Sequence, residues 1–452
     1  VTNSVDRVSG SSRIVRLGET DSYVFATESR MGRTQGRHVS CTVLELSGMP
    51  DLGKLRAALA EVMGRHPILG SKAKRALPFF PAWYVRSSNA AEAIPLTVHE
   101  NRTLGDLLDF LLNDAGPAME KPSRCHARLD LLIGKDDSST VVLTWRHIVL
   151  DGVGAEWLVR EIATLYEDPA AESVAPGFSE PKGSSRKSLH DRWMATKPML
   201  HHLMKLLATG IRSLTPEGAK IGRMKFSQVV LDEATTLLVK ARAAEISGPL
   251  VQTPFYLACA ILAHHVVWER FRGGVPEQDV VALPLQERPR GKPGPIFRNN
   301  VSIMFLHTTR EEAGSIDSLV KTLVSRQQEI MRAKLADSFA EMQRWMMFLP
   351  SPVYARFLHF QMKGQTTSFH HSHTGTFAGG LDSFAGSAVR NAWHAPGFYG
   401  PPGTGVFVGE HRGAMTVTTS WREGVLSYEE AATLGEAFIA ILKGGYEAPA
   451  TS

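Results

Sequence analysis

Apolar positions along the chain change period several times, and each change marks an element. After Asp51, residues Leu52, Leu55, Leu59, Val62 and Met63 recur at three- and four-residue spacing. That spacing puts them on one face of a helix capped by the Asp51 carboxylate and ended by Gly64 to Pro67. Leu104, Leu107, Leu108, Leu111 and Leu112 repeat the pattern before Gly116-Pro117 stops it. The period then drops to two. Leu129 to Ile133 and Val141 to His147 are β-leaning runs separated by the turn-forming residues Gly134 to Ser139, a predicted hairpin. On its second strand Val141, Leu143, Trp145 and His147 share one face, while Val142, Thr144 and Arg146 share the other. A helix over Ala155 to Tyr166 follows, with Leu158, Ile162, Leu165 and Tyr166 on one side, and it ends before Pro169.

Pro169 to Ser188, rich in Pro, Gly, Ser and Glu, reads as a linker. Beyond it, Phe226 to Leu231 is a short strand leading into a helix over Asp232 to Ala244. Thr253-Pro254 caps a helix, Phe255 to Val267, that is apolar on every side and so must be buried. Strands are predicted at Val280 to Leu285 and Val301 to Leu306, and a helix at Ser315 to Lys334. The capping box Ser427-Tyr428-Glu429-Glu430 opens a last helix that buries Ala431, Leu434, Phe438 and Leu442. Before it, Thr404 to Val408, the turn Glu410 to Gly413 and Met415 to Trp421 repeat the order of hairpin, glycine and helix seen around His147. Ser420 to Gly424 stands where the His147 turn stands in the first copy, without a histidine. Two similarly built halves are one explanation; chance likeness of two hairpins is the other.

A chain of 452 residues, 43% hydrophobic and 21% charged, is long enough for two or three core-bearing units. Val1 to Ser12 lacks the apolar core of a signal peptide, and no apolar run approaches the roughly 18 residues of a membrane span. Cys41, Cys125 and Cys259 are scattered singly, which suits neither a metal clip nor a disulfide framework, so a cytoplasmic location is the default. The net charge of +5 is mild, and no nucleic-acid module surrounds the basic residues. The basic residues do concentrate between Lys182 and Lys225, interleaved with Trp193, Met194, Met199, Leu200, Leu203, Met204, Leu206 and Leu207. The stretch 190–214 fits either a connecting helix with its cationic face in water or an amphipathic helix in peripheral contact with an inner membrane.

The densest chemistry lies at the end of the first hairpin, Trp145-Arg146-His147-Ile148-Val149-Leu150-Asp151-Gly152. Imidazole, with an ordinary pKa near 6.5, is the side chain best matched to taking a proton from a hydroxyl or amine at neutral pH. Gly152 permits a positive φ or a close backbone approach. A buried Asp151 requires a cationic or hydrogen-bonding partner. On spacing alone, a structural histidine at a strand end accounts for the pattern better than a catalytic one does.

Read together with Arg65-His66-Pro67-Ile68-Leu69, Pro284-Leu285-Gln286-Glu287-Arg288 and Asn299-Asn300, in this order, the segment resembles the His-His-x-x-x-Asp-Gly acyltransferase superfamily. That superfamily includes nonribosomal peptide condensation domains, wax ester synthase/diacylglycerol acyltransferases and mycobacterial polyketide-associated acyltransferases. The resemblance runs from about Leu17 to Leu442. It implies an α/β fold, an α+β sandwich of two chloramphenicol-acetyltransferase-like halves in a V shape with the active-site tunnel between them. The expected division is an N-terminal half over 1–175, a linker and basic helical segment over 176–225, and a C-terminal half over 226–452. It further implies that His147 is the general base and that Asp151 is structural, paired with Arg288. The sequence departs from the motif at Arg146, where the first histidine is expected; strand alternation turns that side chain away from His147. For the oxyanion, the backbone N–H of Gly152 and the hydroxyls of Ser372 or Thr374 are candidates, with Asn300 and Trp421 as further tunnel residues.

The implied reaction moves an acyl group from acyl-coenzyme A, or from a phosphopantetheine thioester on a carrier protein, to the hydroxyl of a small-molecule or lipid acceptor, forming an ester. An amide-forming free-standing condensation enzyme and a non-catalytic carrier-protein docking module are the alternatives. A monomer without permanently bound cofactor, metal or nucleic acid is expected. His370-His371-Ser372-His373 alternates its imidazoles across a strand and has no carboxylate or cysteine at ligand spacing. Gly380-Leu381-Asp382-Ser383 resembles a carrier attachment serine but lacks the surrounding helical bundle. Neither a phosphate loop nor Gly-x-Ser-x-Gly is present.

Overall fold

The computed structural model describes residues 13–445 apart from 76, 179–187, 209, 250, 290–292, 362–364 and 366. Val1 to Ser12 and most of the second part of the expected linker, 179–187, therefore lie outside the described residues. The first part of the chain runs β1 (Arg13–Arg16), α1 (Glu19–Gln35), β2 (Val39–Leu46), α2 (Leu52–Arg65), β3 (Ser71–Lys74), β4 (Trp83–Arg86), β5 (Leu96–His99), α3 (Leu104–Phe110), β6 (Ala127–Ile133), β7 (Ser139–Arg146) and α4 (Gly152–Glu167). Helix α5 (Leu189–Ala208) leads to β8 (Met224–Leu231), α6 (Glu233–Ser247), α7 (Thr253–Arg272), β9 (Gln278–Gln286), β10 (Val301–Thr309), α8 (Ile316–Arg332), α9 (Leu335–Met346) and α10 (Ser351–Gln361). The rest is β11 (His370–Thr376), β12 (Ser383–Phe384), β13 (Ser387–Ala395), β14 (Thr404–His411), β15 (Ala414–Arg422) and α11 (Tyr428–Lys443).

Two principal sheets organise these elements. The first has the order β12-β13-β2-β7-β6-β5 and the second β11-β14-β15-β8. Strands β9 and β10, which fall in sequence between β8 and β11 of the second sheet, form a separate two-stranded antiparallel ribbon. The predicted hairpin is β6–β7, with Leu131 opposite Val141. Its counterpart β14–β15 pairs Thr404 with Trp421 and is followed by Gly424 and α11, the repeated order read from the sequence. Residues 383–395, expected within the C-terminal half, instead complete the first sheet: β13 pairs antiparallel with β2, Trp393 opposite Val43. Without that strand the outer edge of β2 would present unpaired backbone groups.

Local chemistry explains most element boundaries. The Asp51 carboxylate accepts from the N–H groups of Gly53 and Lys54, Asp232 caps α6, Ser315 caps α8, and the Ser427/Glu430 capping box opens α11. Thr253 is not a cap; the chain enters α7 from Gln252, with Pro254 in the first turn. Helix α4 begins at Gly152, three residues before the apolar spacing predicts, because Asp151 caps it through Gly154 N–H at 2.7 Å. Gly152 accordingly takes no positive φ, and nothing crowds its α-carbon. The close approach belongs to Gly154, where a Cβ would lie 2.2 Å from the carbonyl oxygen of Ile296.

Two cores result. One lies between the first sheet, α2 and α4 and takes in Ile296 and Phe297 from the far side of the linker. The other surrounds α7, buried over most of its length from Pro254 to Trp268 and packed against α11 and the second sheet. Helix α5 does not lay its whole apolar side on lipid: Met199, Leu203 and Leu206 pack on Val280, Phe305 and Phe339. Among the described residues no helix is long and apolar enough to cross a membrane.

Candidate active site

The last strand residue of β7 is Arg146, and His147 follows in a turn where the two halves meet. Its backbone is held from both sides: His147 N–H donates to the His38 carbonyl at 3.0 Å, and Asn299 Nδ2 donates to the His147 carbonyl at 2.9 Å. Two residues on, Arg298 N–H donates to the Val149 carbonyl at 2.8 Å. The imidazole sits between the rings of His38, 4.5 Å away between centroids, and Trp145, 5.3 Å away. Its Nδ1 is enclosed by protein, which leaves Nε2 as the nitrogen available to the cavity that His147 lines. Burial pushes the His147 pKa below its ordinary value, against the pull of the Asp151 carboxylate, so the ring is neutral at neutral pH.

Asp151 spends its carboxylate on structure. Oδ1 accepts from Gly154 N–H, while Oδ2 accepts from Arg288 Nη1 at 2.8 Å and from Asn300 N–H at 2.8 Å. Asp151 and Arg288 are both buried, and their contact ties α4 of the first half to the end of β9. Asn300 belongs to this support and does not reach the cavity: its Nδ2 donates to the Phe297 and Arg298 carbonyls, each at 3.1 Å. The neighbouring residue, Asn299, faces the cavity instead.

Arg146 points to the other side of the sheet, as alternation requires. It forms ion pairs with Glu28 and Glu120, and Glu28 also holds Arg37 at 2.9 Å. These cations, with Arg124, hold the Glu120 carboxyl down to about 2 even though burial opposes it.

Two residues of the site carry no sequence signal. Asp21, in the first turn of α1, has the look of an exposed helix-start acid, yet it is buried and accepts from Asn299 N–H at 2.9 Å and Asn299 Nδ2 at 3.0 Å. Burial raises its pKa. His38 precedes β2 and its Nε2 lies 2.7 Å from the Gly397 carbonyl. Because a carbonyl only accepts, that nitrogen carries the hydrogen and Nδ1 keeps the lone pair. Burial, then the adjacent His147, push the His38 pKa well below its ordinary value.

The cavity has a volume of about 500 Å³, within the range of small-molecule sites. Gly152 and Val153 line it with the first turn of α4, whose N–H groups have no partner within the helix. Ser372 and Thr374 line it from β11; the Thr374 hydroxyl donates to the Val408 carbonyl at 3.4 Å. Trp421 does not line it. On β15, Thr416 and Thr418 face the cavity and Trp421 faces the opposite way into the second core, edge-on to Tyr428. His66 is also structural, 3.4 Å from Glu161. Among the described lining residues Asp151 alone bears a formal charge, and Arg288 neutralises it. Burial lowers His370 and His373 to about 4 and His371 to about 3, so these lining imidazoles are neutral as well. No group of three or more potential metal ligands converges among the described residues.

No family model matches the sequence, and no curated protein matches it. Solved structures match over nearly the whole chain. The trichothecene 15-O-acetyltransferase of Fusarium sporotrichioides superposes with a TM-score of 0.72 at 11% identity, covering 97% of each chain. The first condensation domain of the calcium-dependent antibiotic synthetase gives 0.68 at 15% identity over 98% of each chain. Polyketide synthase associated protein 5 from Mycobacterium tuberculosis gives 0.63 at 13% identity, over 96% of this chain and 100% of that one. The chain thus has the chloramphenicol-acetyltransferase-like fold of the condensation-domain acyltransferases, as the motif order led one to expect.

Proposed function

We propose that the protein is an acyltransferase that moves an acyl group from a thioester, on coenzyme A or on a carrier protein, to a hydroxyl acceptor, with His147 as general base. The observation that carries this reading is the placement of His147: a neutral imidazole, backbone-locked from both halves, with Nε2 open to a cavity built by both. In the reaction the acceptor oxygen forms a bond to the thioester carbonyl carbon while His147 Nε2 takes its proton. The carbon–sulfur bond then breaks, and the proton passes to the departing sulfur. A thiol, with an ordinary pKa near 8.5, leaves readily, so no covalent enzyme intermediate is needed. The oxyanion meets the N–H groups at the start of α4 from one side and the Ser372 hydroxyl from the other.

Electrostatics favour a hydroxyl over an amine acceptor. An amine with an ordinary pKa near 10 arrives as a cation, and the described cavity wall offers it no free carboxylate to offset desolvation. A hydroxyl brings no such charge. The same neutral wall holds no cation for the phosphates of a coenzyme, which on this reading stay outside while the thioester arm enters. The O-acetyltransferase among the similar structures acts, by its name, on oxygen. The test is product mass spectrometry after incubation with acyl thioesters and paired alcohol and amine acceptors of matched shape. Ester formation with release of one thiol per acyl group supports the reading; amide formation alone would overturn the choice of acceptor.

A further inference from the structure

The cavity wall is built differently on its two sides. Around β11 and β15 it carries hydroxyls and imidazoles, among them Ser372, His373, Thr374 and Thr418. On the helix side the wall is Leu200, Met204 and Leu207 of α5, Phe305 of β10, and Phe339 and Met342 of α9. Several of these belong to one apolar cluster that joins α5 to the β9–β10 ribbon and α9. Nothing on that side can donate to or accept from a polar ligand through a charged side chain. An apolar wall selects for groups that lose water at no penalty.

This apolar arm of the cavity, on its helix side, also opens outward. Met204 and Phe357 line the cavity and are yet 59% and 37% exposed, which sets them at its mouth. Along α5, Leu200 and Met204 share a helical stripe with Leu189 and Trp193, which are 73% and 53% exposed. The apolar lining therefore continues from the interior onto the surface.

We propose that this arm binds the hydrocarbon chain of a substrate, an extended aliphatic tail lying between α5 and α9 with its functional end at His147 and its far end toward Met204 and Phe357. The inference names the substrate class of the site proposed above and rests on that site's location, but binding to the arm does not require turnover. The chain could belong to the acyl donor or to an alcohol acceptor; the chemistry recognised is the same.

The experiment displaces the neutral fluorophore N-phenyl-1-naphthylamine from the full-length protein with two series, straight-chain 1-alkanols and straight-chain alkanoyl thioesters of N-acetylcysteamine. For a chain entering the arm, affinity rises about fourfold per methylene, from about 0.8 kcal/mol each, until the arm is full and the series levels off. Dependence on chain length in the alkanol series assigns the tail to the acceptor, and in the thioester series to the donor. Met204→Trp, a change at a half-exposed position, should bring the plateau several carbons earlier while binding of the shortest members stays unchanged, and His147→Ala should leave the profile as it is. Affinity independent of chain length in both series, or a profile unmoved by Met204→Trp and by Leu207→Phe, overturns the proposal. Chain-length dependence without any acyl transfer would leave the arm standing and remove the acyltransferase reading instead.

Discussion

Replacing Arg146 by Met tests the division of labour between the two faces of β7. Arg146 is 2% exposed and bridges Glu28, itself 3% exposed, and the more open Glu120. Its removal leaves Glu120 with Arg124 at 2.8 Å, but leaves Glu28 with Arg37 alone, whose side chain is 40% exposed. Breaking a buried ion pair from one side typically costs roughly 3–5 kcal/mol because the remaining charge is left uncompensated. With Arg37 still in place, the loss expected here is about 3 kcal/mol. Guanidinium denaturation followed by circular dichroism should show it as a lower midpoint with an unchanged slope. Adding Glu28→Gln should recover part of the loss, with a coupling energy of about 1–3 kcal/mol in the double-mutant cycle. Arg146→His should behave much like Arg146→Met, since one imidazole cannot replace a guanidinium that serves two carboxylates. At a temperature where the variant is folded, acyl transfer should persist, because the Arg146 side chain does not reach the cavity. A stability within about 1 kcal/mol of the parent, or a folded variant without activity, would refute the reasoning.

The other expectations concern the support of His147 and its protonation. Arg288→Met should destabilise by roughly 3–5 kcal/mol and lower activity together, while Asp151→Asn in that background should restore stability; thermal unfolding and turnover measured side by side check this. Asn299→Ala removes the hydrogen bond to the His147 carbonyl, and kcat should fall about 10- to 100-fold with the fold intact by circular dichroism. Because burial holds the His147 pKa below 6.5, the base form persists on mild acidification, and the acid limb of kcat/KM should lie below pH 6.5. Stability follows the depressed groups. Glu120, lowered to about 2 in the folded protein, contributes fully above its unfolded pKa near 4.5 and loses that contribution as pH falls from about 4.5 toward 2, which unfolding across that range should report.

Much of the fold was legible because its cues are local. Capping carboxylates at Asp51 and Asp232, the capping box at Ser427, and the two-residue alternation of β7 all act over a few residues. The motif order also led to the contact between Asp151 and Arg288, although 137 positions separate them. What escaped was set by tertiary contact. Asp21 becomes part of the site only because α1 lies against the Asn299 segment, and His38 only because β2 begins beside the His147 turn. Trp421 and Asn300 each point away from the cavity, which Thr416 and Thr418 of the same strand as Trp421, and Asn299 beside Asn300, line instead. The insertion of β13 beside β2 has no local signature, since β13 looks like any strand of the second half. Helix α5 was ambiguous for the same reason: its apolar positions were plain, and what they faced was not.

The central claim rests on His147, and the most direct measurement is single-turnover acyl transfer by His147→Ala beside the parent protein, with circular dichroism and fluorophore binding as controls. Nδ1 of the ring has no hydrogen-bond partner among the described residues and the turn is held through its backbone, so truncation should leave the fold and cavity binding intact. Loss of general-base catalysis should slow transfer by about 10²- to 10⁴-fold. Transfer at the parent rate by a folded His147→Ala protein would contradict the account.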